Sequence, residues 1–312
     1  MTTAIPPGSA TRIQNILPPP RTLLREVKKN LHAYLFISPF FILFIIFFLY
    51  PTIRSFSLSL YEWETFNTVT FVGLKNYIKL FRDRLFLETV VNSIYMMVLS
   101  TIPQIILATL IAVALNSKFI RFRNLWRAAY FSPIVLSPVV VGIVFSLIFD
   151  QQYGFLNYIL SLFGIDQINW TRSTEWSKLA VTVLVIWRWT GWNMVIVLAG
   201  LQSIPEELYD AAKVDGAGDW DTFKSITLPL LKPVLSFLLM LGIIDGLRLF
   251  AEPNILTEGG PGHASATMVM YLYNQAFLFF KFGYASAIAV VIFLALAGIA
   301  AFTWGFLRRG EE

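Results

Sequence analysis

The sequence contains no cysteine. Disulfides, thiolate nucleophiles and cysteine-ligated metals are therefore excluded. Its two histidines, His32 and His263, stand far apart, which leaves a histidine metal site or a Ser-His-Asp hydrolase with few candidates. Charge is scarce as well. Asp, Glu, Lys and Arg make up 14% of the 312 residues, where a soluble domain carries roughly 25%. No G-x-x-x-x-G-K-[ST] phosphate loop occurs, so ATP hydrolysis by that route is not available to this chain. Zinc-finger spacing and basic, aromatic-interleaved sheet patterns are missing too. The net charge of +5 therefore does not point to nucleic acid.

What the chain has is apolar length. Hydrophobic residues make up 56% and the mean hydropathy is +0.66, so lipid is the solvent for most of the surface. Six runs are long enough to span a bilayer, at roughly 32–53, 89–115, 127–149, 178–202, 228–250 and 284–307. Prolines and glycines inside them, such as Pro39, Pro103, Pro133, Pro138 and Gly242, are tolerated where neighbouring helices re-satisfy the backbone. The expected fold is an all-α polytopic membrane protein of about six helices. A cytoplasmic tail, 1–30, precedes a transmembrane domain, 31–310. The tail is expected to be disordered, and the first span uncleaved, because its apolar core exceeds a signal peptide's. With the N-terminus inside, fourteen Lys and Arg fall on inner segments and eight on outer ones. That bias places both termini in the cytoplasm. No internal repeat is evident. The stretch LKNYIKLFRDRLF, 74–86, reads either as an amphipathic helix on the outer interface or as a solvated loop helix. LTEGGPGHAS, 256–265, reads as a turn-rich outer loop.

One inner segment, 203–232, is polar: SIPEELYDAAKVDGAGDWDTFKSITLPLLK. Ser203 is a good N-cap, and Pro205 with the acidic pair Glu206 and Glu207 suits a first turn. Leu208, Ala211, Ala212 and Val214 form one face, and Gly216 and Gly218 stop the helix. A second short helix, 219–226, leads to Pro229, where the fifth span begins. Lipid has no use for such a segment; a docking surface does. Asp210-Ala211-Ala212, three residues, Gly216, nine residues, Ile226, one residue, Leu228-Pro229 resembles the EAA signature of bacterial ABC importer permeases, with Asp in place of the first Glu. IPEELYDAAKVDGAG, ITLPLLKP and LTEGGPG resemble the carbohydrate, maltose-type branch, and the likeness covers roughly residues 30–310.

The resemblance implies a type I importer permease fold and a mechanical role. The segment would be a coupling helix seated in a cleft of an ATPase subunit. Ala211 and Ala212 would allow close approach, Asp210 would pair with a basic residue of the ATPase, and Gly216 would turn the chain. The implied partners are a second homologous permease, two ATPase subunits that bind ATP and Mg, and an extracytoplasmic sugar-binding protein. The chain itself would be no enzyme and would hold no cofactor or metal. Outer basic residues Lys75, Lys79, Arg82 and Arg84 would face the binding protein.

Ionisable residues inside spans mark function by default. WRWTGWN, 187–193, offers Arg188 as a bidentate donor and Trp189 and Trp192 as faces for sugar rings. IIDGLRLF, 243–250, offers Asp245 and Arg248, three apart on one helix face. The resemblance implies that WRWTGWN and Asp245-Gly246 fall where the maltose-type permease touches sugar, though with different side chains; with Arg248 added, Arg188, Trp189, Trp192 and Asp245 make up the candidate substrate pathway. A second interpretation is an Arg188–Asp245 ion pair that holds the bundle, with the tryptophans as an interfacial belt. Asn92, Gln104, Asn193, Asn274 and Gln275 are explained by interhelical hydrogen bonding. An ion-driven transporter would need intramembrane carboxylates, of which only Asp245 is deep enough. A membrane-embedded enzyme would need clustered His or carboxylates. Sugar, polyol and glycerol phosphate importers all remain open as cargo classes.

Overall fold

A computed structural model describes residues 28–63, 69–117 and 120–309, with side chains as far as Thr303. Most of the expected tail, including Arg12, Arg21 and Arg25, lies outside the described residues, as does Lys118. The chain divides into two units, one ending at Ser55 and one beginning at Phe56. The first is helical: α1 (Leu31–Phe44) passes through a π turn, Ile45–Leu49, into α2 (Tyr50–Leu58). Phe40, Phe44 and Phe48 stack along this helix, with ring centroids 6.2 and 5.0 Å apart.

The second unit carries a small hairpin, β1 (Tyr61–Glu62) and β2 (Thr70–Phe71), paired antiparallel with Tyr61 opposite Phe71. Then come α3 (Lys75–Arg82), α4 (Arg84–Asn116), α5 (Arg123–Val135), α6 (Pro138–Ile148) and α7 (Phe155–Leu162). The remainder is α8 (Ser177–Gln202), α9 (Glu206–Val214), α10 (Asp219–Thr222), α11 (Leu228–Leu247), α12 (Ala251–Leu256), α13 (Met268–Tyr273) and α14 (Phe282–Arg309). Among the described residues, five helices are long and apolar enough to cross a membrane, or six if one bent pair counts as a span.

That bent pair corrects the expected third span. Residues 127–149 are not one rod: α5 and α6 meet at 99°. The cause is local. Ser137 precedes Pro138 and adopts φ −57°, ψ 135°, because the proline ring disfavours helical backbone in the residue before it. The Ser137 hydroxyl then accepts from Val139 N at 3.3 Å and starts the new helix.

The expected break at Pro229 is also corrected. The helix runs from Asp219 to Leu247, through a π turn at Phe223–Thr227. Pro51 and Pro229 each sit two residues past a π turn. A proline ring collides with the carbonyl four residues back, here Phe47 or Ser225, and each of those lies inside a widened turn. The helix thus survives its proline by loosening just before it.

Three apolar clusters hold the second unit. One joins α4, α8 and α11 through Ala108, Ala112, Met194, Leu198, Leu231 and Leu238. It extends through Leu201 and Ile204 to Ile120 and Tyr209. Another joins α6, α8 and α12. The third packs α3 and α4 on α13 and α14. Since lipid tails are as apolar as leucine, close fit rather than water exclusion must favour helix over lipid. Gly242 and Gly246 of α11 provide that fit. A Cβ added to Gly242 would lie 2.4 Å from Thr101, and one added to Gly246 would lie 2.7 Å from Met97. The two glycines, four apart, let α11 lie directly on α4, and Thr101 Oγ1 donates to the Gly242 carbonyl at 3.1 Å.

Helix α3 docks on the protein more firmly than either sequence-based alternative implied. Leu80 is fully buried and Asn76 donates to the Ser59 and Tyr61 carbonyls, both at 2.9 Å. Leu74, Ile78 and Phe81 remain exposed, as suits a helix at a lipid–water interface.

Asp83, between α3 and α4, is the polar anchor of this end. Its Oδ1 accepts from Leu85 N and Phe86 N at 3.0 and 3.4 Å. Its Oδ2 accepts from the hydroxyls of Tyr271 and Tyr284 at 2.5 and 2.7 Å. Burial pushes the carboxyl up, but the two phenols and two backbone donors outweigh it, and the net effect is below the ordinary 3.8. A depressed carboxylate stabilises the fold above its unfolded pKa, and that contribution is lost as pH falls through the folded value. Asp83→Asn is therefore expected to cost roughly 1 kcal/mol at neutral pH, as for a partly exposed charge-assisted bond. Thermal melts of the detergent-solubilised chain should show the gap to wild type closing below pH 4.

Candidate functional site

One face of α8 repeats every three or four residues: Val185, Arg188, Trp189 and Trp192. That spacing puts all four on one side of the helix. Opposite it, α11 presents Leu241 and Asp245, and the turn after it presents Arg248. Together with Ser100, Thr101 and Gln104 of α4, these side chains line a cavity of about 360 Å³. All five residues expected on the substrate pathway, Arg188, Trp189, Trp192, Asp245 and Arg248, border this one space. Gln104 and Asn193 do as well, and they hydrogen-bond each other across α4 and α8 at 3.3 Å. Asn92 does not. It holds the 256–265 loop instead, donating to the carbonyls of His263 and Ala266 at 3.0 and 3.2 Å.

The charges do not form the ion pair of the second interpretation. Arg188 does not pair with Asp245. Its Nη1 donates to Glu252 Oε1 at 2.6 Å, with side-chain exposures of 11% and 6%. Nor does an ion pair join Asp245 to Arg248 among the described residues, although both line the cavity. Glu252 is thus a second deep carboxylate that the sequence reading missed. That reading carried the fifth span to residue 250 and left Glu252 in an outer loop. In the structure α11 stops at Leu247, and α12 tucks Glu252 back against α8 with 5% of its surface exposed. A lone acid in the apolar run LRLFAEPNIL was the available signal. The Arg188 guanidinium also lies over the Trp189 ring, 5.7 Å from its centroid, a favourable cation–π placement.

At the opposite end of the cluster that joins α4, α8 and α11 sits the polar segment. Ser203 does not cap α9. Its hydroxyl donates back to the Gly200 carbonyl at 2.7 Å, so it closes α8, and Pro205 occupies the N-cap position. The end of α9 follows expectation. Gly216 adopts φ +78°, and Gly216 N and Ala217 N donate to the carbonyls of Lys213 and Ala212 at 3.1 and 2.9 Å. This is the paired closure that a left-handed residue permits. Ala212 is buried within the chain, at 8% exposure; of the small-residue face, Ala211 is the part that stays exposed. Asp210 forms an exposed salt bridge with Lys213 at 2.9 Å, and that hydrogen bond raises the Lys213 amine above its ordinary value. Glu207 is exposed, Ile226 lies in the π turn, and Leu228 and Pro229 begin α11. Two exposed apolar side chains stand out here, Val214 at 88% and Trp220 at 71%. The sequence reading passed over Trp220, which stacks on Phe223 with centroids 5.8 Å apart.

Residues 93–307 match the family described as binding-protein-dependent transport system inner membrane component. The chain belongs to that family. It is 38% identical over 270 residues to the arabinooligosaccharides transport system permease protein of Bacillus subtilis, covering 86% of each chain. It is 36% identical to the lactose transport system permease protein of Rhizobium radiobacter, covering 86% of this chain and 91% of that one. Its fold is shared with a chain of a bacterial ABC transporter that imports the acidic polysaccharide alginate. The TM-score is 0.81, with 24% identity over 92% of this chain and 99% of that one. This permease is therefore a multi-pass membrane protein of the ABC importer fold.

The buried Arg188–Glu252 pair makes a direct prediction. Removing one partner leaves an uncompensated charge, at a cost of about 3–5 kcal/mol, whereas replacing both with apolar residues is often neutral. Arg188→Met and Glu252→Gln should each lower the melting temperature of the purified protein. The double variant Arg188→Met/Glu252→Leu should recover most of that loss.

Proposed function

We propose that this permease forms half of the translocation pathway of a binding-protein-dependent sugar importer and carries a neutral di- or oligosaccharide. The observation that carries the reading is the cavity between α4, α8 and α11. It brings two tryptophan faces beside hydrogen-bonding groups from Gln104, Asn193 and Asp245, the mixture that a sugar's apolar ring faces and hydroxyls require. The names of the relatives, which refer to arabinooligosaccharides and lactose, support the class. The formal charge of the lining favours a neutral cargo. Arg188 is compensated by Glu252, and Asp245 offsets Arg248, so no surplus cation awaits a phosphate or a uronate.

The energy would come from elsewhere. On this reading α9 docks on a cytoplasmic ATPase subunit that binds ATP and Mg, with Ala211, Asp210, Val214 and Trp220 at the contact. ATP-driven closure of two such subunits would move α9, and the spans would alternate between inward-facing and outward-facing states. A second permease would complete the pathway, and an extracytoplasmic binding protein would deliver the sugar. Exposed Val214 and Trp220 support this docking, because large apolar side chains at the tip of a polar segment mark an interaction surface.

The test is ATPase activity of the reconstituted complex with binding protein and a panel of neutral and acidic oligosaccharides. A neutral sugar should stimulate it. Gly216→Val should abolish most of the stimulated increment, since a β-branched residue at φ +78° costs about 1–2 kcal/mol or more. Normal coupling in that variant would refute the role of α9. Stimulation by acidic sugars alone would refute the charge argument.

A further inference from the structure

The start of α5 carries an unusual density of unpaired cation. Arg121, Arg123 and Arg127 lie within two turns of helix and its approach, and no ion pair reaches any of them among the described residues. Arg127 Nε is buried with no hydrogen-bond partner. Arg123 and Arg127 are four apart and so share a face. Trp126 and Tyr130 stand beside them with rings 6.5 Å apart.

Just below these residues an apolar groove of about 590 Å³ opens between α4, α5 and α8, lined by Leu107, Ile111, Trp126, Tyr130, Val183 and Ile186 among others. The level of each feature follows from the helices. Leu107 and Ile111 lie five to nine residues before the end of α4 at Asn116, hence roughly 8–14 Å from it along the axis. Ile120 packs against the cluster that contains Leu115 and Ile204, and so does Tyr209, so the arginines occupy the same end of the bundle as the polar segment. Cationic side chains at a helix end, an indole and a phenol beside them, and an apolar groove that starts at those two rings and runs on to Val183 and Ile186 in the middle of the bundle follow the order of a bilayer leaflet.

We propose that this is a binding site for one anionic phospholipid. The phosphate headgroup is held by Arg123 and Arg127, with Arg121 adjacent. One acyl chain lies in the groove between α4, α5 and α8. Charge complementarity selects the occupant: an apolar helix from another subunit would fill the groove but leave three arginines without counter-charge, whereas a phosphatidylglycerol satisfies both parts.

Native mass spectrometry of the delipidated, assembled transporter, offered phosphatidylglycerol or phosphatidylcholine at equal concentration, tests this. The wild type should retain at least one phosphatidylglycerol per copy of this chain and little phosphatidylcholine. Arg123→Gln/Arg127→Gln should weaken that retention by about thirty-fold, from two lost contacts to an anionic surface. Arg123→Lys/Arg127→Lys should keep it, and Arg172→Gln, on an exposed loop elsewhere, should leave it unchanged. Ala129→Trp, which narrows the groove, should lower retention without altering charge. Equal retention of the two wild-type lipids would overturn the proposal, as would full retention by the Gln/Gln variant. So would cross-linking of Trp126→Cys to a partner subunit, which would show that protein fills the groove.

Discussion

A guanidinium deep in a membrane protein must find a counter-charge, and in this chain that requirement organises the site. Arg188 projects from the middle of α8, and Glu252 must come to it. To deliver Glu252, α11 ends at Leu247 and the chain folds back through α12 onto α6 and α8. The turn this creates places Arg248 on the cavity wall and leaves Asp245 facing open space rather than neutralised against Arg188. One ion pair thus sets the polarity of the lining and leaves a carboxylate and a second guanidinium available for hydroxyl groups.

A second constraint is the close fit of α11 on α4 at Gly242 and Gly246, which brings the opposite wall within reach. Below the cavity the same three helices continue as one packed cluster through Met194, Leu198 and Leu201 to Ile204 and Tyr209. Tyr209 in turn meets Thr227 at 3.2 Å. The polar segment is therefore tied through this cluster to the lower end of α8, the helix that carries Arg188, Trp189 and Trp192 higher up. On the proposed function, a push on α9 would have a packed route upward, which a loosely tethered loop would not provide.

Much of this was legible in the sequence. Apolar run length gave the spans, and helical spacing gave the shared face of Arg188, Trp189 and Trp192. Gly216 signalled the end of α9. What escaped notice has physical causes. Hydropathy alone cannot register a sharp bend, so Ser137-Pro138 was read through. Proline was read as a break at Pro229 because the preceding π turn, which absorbs the ring's clash, leaves no sequence signature. Glu252 was placed outside because its burial depends on a long-range pairing with a residue 64 positions earlier. Ala212 was read as part of an outward face, since spacing alone cannot tell which side of a short helix meets its own chain.

The proposed sugar pathway runs along the wall formed by α8 and α11. The absence of native cysteine allows it to be tested with a single introduced thiol. Trp192→Cys in the assembled transporter would be alkylated with a maleimide during turnover, with and without binding protein loaded with a neutral oligosaccharide. Phe302→Cys, at an exposed apolar position, serves as the control. Sugar should slow labelling at position 192 several-fold and leave position 302 unchanged. Equal labelling at 192 with and without sugar, in a transporter shown to be importing it, would rule that pathway out.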